Sequence, residues 1–190
     1  FGLLGINGAG KSTTLALLCG ETYPSDGIIY IDGMELSSKL HACRRKIGFC
    51  RQFDALFHKL SGREHLEIYA KLKGIPSEQI HRAVESKLKA LDLVEYADRD
   101  AGTYSGGNKR KLSVAIAMIG DPSIVFLDEP STGMDPVTRR SMWQLISDAV
   151  TTKGNCSVIL TTHSMEEAEA LCTRLGIMVG GTLRCLGSCQ

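Results

Sequence analysis

The chain predicts an α/β fold with a mostly parallel sheet and a block of helices inserted into it. Three observations carry that expectation. The apolar segment from Phe1 to Leu4 runs straight into a glycine-rich loop, Gly5-Ile6-Asn7-Gly8-Ala9-Gly10-Lys11-Ser12. The run Ile124-Val125-Phe126-Leu127 is unbroken by a polar residue and ends on two adjacent carboxylates, Asp128 and Glu129, as a strand buried on both faces does. Between these segments, apolar residues recur at helical rather than strand spacing.

Each element follows in order. A strand over Phe1–Leu4 leads through the loop to a helix beginning near Ser12. Gly27–Asp32 and Ile47–Cys50 are short strand candidates rich in β-branched or aromatic residues. From Ser61 the pattern becomes helical: Ser61 and Glu64 are spaced for a capping box, and Leu66, Tyr69 and Ala70 share one face. A second helix follows Pro76, with Ile80, Val84, Leu88 and Leu91 as its apolar stripe. Ser105 caps a third helix with Lys109 to Ile119 as its body.

After Pro122 the strand–helix alternation resumes. Pro136 suits the first position of a helix whose Met142, Leu145, Ile146 and Ala149 form one face. Ser157–Thr162 is the next strand, and Ser164 with Glu167 is spaced for another capping box. Arg174–Val179 and Thr182–Cys185 read as final strands around Gly180-Gly181. No internal repeat or low-complexity tract interrupts this order.

Composition narrows the function. At 190 residues the chain has the length of one domain. Lys and Arg total 22 against 21 Asp and Glu, so the formal charge of +1 gives no bulk attraction to nucleic acid. Arg44-Arg45-Lys46 and Lys109-Arg110-Lys111 are read as solvated faces. The seven cysteines include no C-x-x-C pair, and Cys185 with Cys189 makes a poor metal signature, so all are expected as reduced thiols. No apolar run approaches the roughly 18 residues that a membrane-spanning helix needs. The chain opens at Phe1 inside an apolar stretch, which suggests a piece of a longer polypeptide.

The first loop fits G-x-x-x-x-G-K-[ST], in which backbone N–H groups and a lysine surround nucleotide phosphates. Glycines let the backbone bend close to an anion, and the following helix adds its positive dipole end. Asn7, Gly8, Ala9, Gly10, Lys11, Ser12 and Thr13 are the expected nucleotide ligands, with Lys11 on the terminal phosphates and the Ser12 hydroxyl on magnesium. Asp128 at the strand end suits the same metal, and Glu129 suits the orientation and polarisation of an attacking water. A bland reading, a glycine turn plus two solvated carboxylates, is improbable once both motifs stand in one chain.

With Ser105-Gly106-Gly107-Asn108 in fixed order between those motifs, the chain resembles the ATP-binding-cassette family of ATPases along its whole length. The resemblance implies a P-loop NTPase with a RecA-like core over 1–52 and 122–190 and a helical subdomain over 53–121. It implies ATP and magnesium as cofactors. Ser105, Gly106, Gly107 and Asn108 look like the signature element, which closes on the nucleotide of a second, head-to-tail cassette. Asn108 stands where glutamine is usual, and Tyr104 where leucine is usual. Gln52 resembles the glutamine that binds magnesium and water, with Arg51 in place of a common proline. Ser131–Asp135 resembles the interface loop, and His163 the switch histidine that contacts the γ-phosphate. The other histidines, His41, His58, His65 and His81, read as ordinary core or surface residues.

Tyr104–Leu112, Phe126–Pro136, His163–Cys172 and Ser61–His65 look like the A subfamily of ABC transporters, and most like its second, C-terminal cassette. That likeness implies ATP-driven export, with lipids as the substrate class. It also implies a second cassette in the same polypeptide and transmembrane domains as partners, no nucleic acid, and a place on the cytoplasmic face of a membrane. Family members usually begin with strands that carry an adenine-stacking aromatic, and this chain is expected to start after them and to stop before the usual tail. A soluble ABC ATPase acting on nucleic acid or ribosomes is the alternative, but the interval from Gln52 to Ser105 holds no heptad run or cysteine pair. A regulatory module without turnover is disfavoured by the intact Lys11, Gln52, Glu129 and His163.

Overall fold

The computed structural model describes residues 1–151 and 156–188. Six strands form one sheet in the order β4-β5-β6-β1-β7-β8. They are β1 (Gly2–Leu4), β4 (Ile47–Cys50), β5 (Ile124–Asp128), β6 (Ser157–Thr162), β7 (Arg174–Val179) and β8 (Thr182–Ser188). All neighbours are parallel except β7 and β8, which form an antiparallel hairpin at one edge. β8 runs three residues beyond the stretch ending at Cys185, and Cys189 lies outside the described residues. The expected strand over Gly27–Asp32 is reduced to β2 (Tyr30–Ile31), paired with β3 (Met34–Glu35).

Strand β5 shows why the sheet needs cover on both faces. Successive side chains alternate sides. Val125 and Leu127 enter one cluster with Leu66, Val84, Leu88, Leu112 and Met142. Phe126, between them, enters a second cluster with Leu15, Ile31 and Cys43. The first cluster draws on α3 (Gly62–Leu72), α4 (Ser77–Ala90), α5 (Gly106–Met118) and α6 (Pro136–Thr151). The second is built from α1 (Lys11–Leu18), α2 (Leu40–Lys46) and the β2–β3 hairpin. Helices α3, α4 and α5 all lie between β4 and β5 in the chain, which is the expected helical insertion.

The caps explain where these helices begin. Ser61 accepts from the Glu64 N–H, and Glu64 returns a bond to the Ser61 N–H, so the first capping box forms in full. Only half of the second forms. The Ser164 hydroxyl accepts from the Glu167 N–H at 3.3 Å, ahead of α7 (Met165–Leu171), but the Glu167 carboxylate turns inward to other partners. Helix α2 was not expected; its last turn holds the Arg44-Arg45-Lys46 run, of which Arg44 and Arg45 are exposed.

The parallel strands all present their carboxyl ends on the same side, where open α/β sheets hold their ligands. The glycine loop follows β1, Gln52 follows β4, Asp128 and Glu129 close β5, and His163 follows β6. Residues from distant parts of the chain are therefore brought to one edge by strand direction alone.

Candidate active site

The loop after β1 turns at Gly8 and Gly10, whose φ angles are 79° and 100°. Glycine reaches that region without a steric cost. A Cβ on Gly8 would meet no atom within 4 Å, so the backbone conformation, not crowding, selects glycine there. Gly10 caps α1, and Lys11 is its first residue. The buried Lys11 ammonium donates to the carbonyls of Gly5 (2.8 Å) and Ile6 (3.2 Å) and lies 3.5 Å from Glu129 Oε1.

Asp128 and the Ser12 hydroxyl meet across the sheet at 3.2 Å, and Thr161 on β6 donates to the same carboxylate oxygen. The Glu129 carboxylate, next in the chain, meets a different set of side chains. Its Oε2 accepts from Thr132 at 2.9 Å, lies 3.4 Å from Gln52 Nε2, and lies 3.3 Å from His163 Nδ1. Glu129 also has a φ of 47°, the left-handed region that a side-chain-bearing residue seldom adopts. Its N–H is held by both the carbonyl and the hydroxyl of Thr161.

An open cleft of about 360 Å³ is lined by Asn7, Gly8, Gly10, Lys11, Ser12, Thr13, Gln52 and Glu129. Every expected nucleotide ligand of the first loop except Ala9 lines it. Ala9 is buried, packed with Leu3 and Met178. Ser105, Gly106, Gly107 and Asn108 do not line it. Ser105 caps α5 by accepting from the Asn108 N–H at 3.2 Å, and its neighbours are exposed or half-buried at the helix start. Tyr104 is buried there, and its hydroxyl donates to the Tyr96 carbonyl. The unusual tyrosine is thus a core residue with its polar end satisfied.

The oxygen chemistry fits a hard divalent cation. Among the described residues, no three His, Cys, Asp or Glu side chains cluster as metal ligands. A single carboxylate with a hydroxyl beside it is what magnesium needs when phosphate oxygens and waters complete its shell. Two buried thiols are held away from the thiolate form that binds metal. Burial pushes the Cys19 thiol up to about 12 and the Cys50 thiol up to about 11.

Four residues near the site escaped the sequence reading. Thr132 and Thr161 hold the carboxylates as described. Glu167 is buried and accepts from the Ser131 hydroxyl at 2.6 Å and from the indole N–H of Trp143 at 3.0 Å. Arg110, placed with Lys109 and Lys111 on a solvated face, is buried instead and bonds the backbone carbonyls beneath the site. Arg51, the departure from proline, is exposed; its side chain pairs with Glu21 and lies over the Phe49 ring.

A phosphate loop on the central strand, facing strand-end carboxylates across β6, is the arrangement of a P-loop NTPase. Residues 1–132 match the family described as ABC transporter, and the chain belongs to that family. It is 54% identical over its full length to the phospholipid-transporting ATPase ABCA7 of Homo sapiens, of which it covers 9%. It is 52% identical to the retinal-specific phospholipid-transporting ATPase ABCA4 of Homo sapiens, covering 8% of that protein, and 53% identical to the phospholipid-transporting ATPase ABCA3 of Homo sapiens, covering 11%. The chain therefore spans about a tenth of the length of the curated relatives it matches. Among solved structures it is similar to a dimeric ATP-binding cassette in a post-hydrolysis state bound to ADP and Pi. There the TM-score is 0.88 and the identity 25%, covering 100% of this chain and 84% of that one. The ATP-binding subunit of an ABC transporter gives a TM-score of 0.86 at 27% identity, covering 98% of this chain and 77% of that one.

Proposed function

We propose that this chain is the nucleotide-binding domain of an A-subfamily ABC transporter, which hydrolyses ATP to power phospholipid export. The division into a core over 1–52 and 122–190 and a helical subdomain over 53–121 belongs to this reading, as does its likeness to a second cassette. One observation carries it: the Glu129 carboxylate is ringed by Lys11, Gln52, Thr132 and His163 at the mouth of the phosphate loop. The names of the relatives supply the substrate class, and the dimeric neighbour supports pairing with another cassette.

The chemistry follows from the residues. The N-terminus of α1 and the loop N–H groups receive the phosphates, and Lys11 exchanges its carbonyl partners for phosphate oxygens. Ser12, Asp128 and Gln52 would hold magnesium, which would supply charge neutralisation at the phosphates. Glu129 orients the attacking water and takes its proton, and His163 contacts the γ-phosphate. Phosphoryl transfer needs such positioning more than covalent help. Ser105–Asn108 serve the nucleotide of the partner cassette, whose own signature completes this site. Among the described residues no helix is long and apolar enough to cross a membrane, so membrane attachment is assigned to transmembrane domains of the whole transporter, on whose cytoplasmic side this domain works. No observation favours the alternative of a soluble ATPase acting on nucleic acid or ribosomes.

The two sides of the site separate by mutation. Lys11→Ala removes a charge that meets phosphate in the ground state, and nucleotide affinity should fall. Glu129→Gln keeps the shape of the site but not its base, so binding should persist while turnover of this site stops. Labelled-nucleotide binding and single-site turnover in the transporter measure both. Equal turnover for wild type and Glu129→Gln would remove Glu129 from the catalytic role.

A further inference from the structure

Arg110 uses all of its hydrogen-bonding capacity on main chain. A guanidinium has five N–H donors in a rigid fork. In this fold Nε donates to the Pro130 carbonyl at 2.9 Å, and Nη2 donates to the carbonyls of Asp128 (2.6 Å) and Glu129 (3.1 Å). Nη1 donates to the carbonyls of Arg51 and Gln52, the second at 3.2 Å. Asp54 Oδ1 lies 3.6 Å from the same nitrogen. The residue is only 6% exposed, and it stands on the first turns of α5, behind the Ser105 cap.

These acceptors are not arbitrary. They are the backbone of the two segments that carry Gln52 and Glu129, whose side chains point the other way, into the cleft. Glu129 is held at a φ of 47°, a left-handed conformation that is strained for a residue with a Cβ. Such strain persists only where the surroundings over-determine it. Thr161 fixes the N–H side of Glu129, and Arg110 fixes its carbonyl side. A buried guanidinium far from any carboxylate pair would be expensive, yet five carbonyl dipoles and the nearby Asp54 satisfy it.

We propose that Arg110 is a positioning residue for hydrolysis. It ties the Gln52 segment and the strained Glu129 backbone to the helix that begins at the Ser105–Asn108 element. Movement of that helix against a partner's nucleotide therefore reaches the groups around the attacking water. The inference rests on the assignment of Glu129 to the hydrolytic step. It leaves the phosphate loop untouched, since no bond of Arg110 goes to residues 5–13.

Arg110→Lys and Arg110→Gln, made in the whole transporter, test the idea alongside Glu129→Gln. Lysine keeps the charge but offers three donors without the fork, and glutamine offers two. The expected result is a fall in kcat of about 10- to 100-fold for both variants, the size of loss that an ångström of misplacement produces. The KM for ATP and the number of nucleotide-binding sites should stay within about threefold, as loss confined to the transition state requires. In a Gln52→Ala, Arg110→Lys double variant the two losses should fall short of adding, because they act through one segment. A merely structural role predicts the opposite: fewer binding sites, with unchanged kcat per remaining site. That result overturns the proposal. So does failure of both variants to form a nucleotide-binding site, which would make Arg110 a packing residue. If Glu129→Gln turns over normally, the assignment of Glu129 has failed instead. If Glu129→Gln is inactive and Arg110→Lys is fully active, only the role of Arg110 has failed.

Discussion

Glu167 stands three residues after Ser164, a spacing that predicts a carboxylate folded back on its own helix. The fold uses it otherwise. Its carboxylate is sunk between the Ser131 hydroxyl and the Trp143 indole, joining the 131–135 segment to α6 and α7. Spacing alone does not show which way a side chain turns, because that depends on donors brought in by tertiary contact. Arg110 was illegible for a related reason. In the sequence it lies between two lysines, and a step of one residue, about 100° around a helix, is enough to turn a basic side chain from solvent to core. The cluster of Lys11, Ser12, Asp128 and Glu129, by contrast, was legible, since these residues sit in short motifs whose geometry is local. For Glu167 the prediction is loss of fold stability with little local chemistry at stake. Glu167→Ala leaves the buried Ser131 hydroxyl without its acceptor and the half-buried Trp143 N–H with Ser131 Oγ alone, and should cost about 2 kcal/mol. Urea unfolding checks it; a change below about 0.5 kcal/mol, the range of an ordinary surface substitution, would contradict the inward role.

Among the elements, β5, β6 and the starts of α3 and α4 were read nearly to the residue because their patterns are strong. Four consecutive apolar residues bounded by a carboxylate leave few alternatives, and Ser61 with Glu64 marks a helix start unambiguously. Helix α2 was missed because its seven residues carry one buried side chain, Cys43, and no side-chain cap. The β2–β3 hairpin pairs only two residues per strand, too few for alternation to show. Element packing gives its own prediction at Gly48 in β4. A Cβ there would lie 1.9 Å from the Ala117 carbonyl oxygen and 3.1 Å from Pro122, so β4 and α5 touch through bare backbone. Gly48→Ala must push α5 outward, and with it Arg110 and the Gln52 segment. The expected cost is about 2 kcal/mol, as overpacked cores show, read as a lower unfolding midpoint. An unchanged midpoint would mean that β4 and α5 are not in close contact.

For the whole molecule, the sheet order explains why one edge collects the chemistry. Parallel strands β4, β5, β6 and β1 deliver Gln52, Asp128 with Glu129, His163 and the phosphate loop to the same side. The Ser105 end of α5 lies outside that cleft, so within one copy residues 105–108 make no direct contact with the space beside the phosphate loop. This separation supports the proposal that the chain carries two half-sites, with a second cassette needed to make either of them whole. The sequence order of the motifs could not show it, since order along a chain says nothing about which copy a helix end will face. The ATPase rate per molecule, followed across protein concentration for the cassette, tests the claim most directly. The rate should be low when dilute and rise steeply as cassettes pair, with no such rise for Glu129→Gln. A high rate per molecule, independent of concentration in a preparation shown to be monomeric, would contradict it.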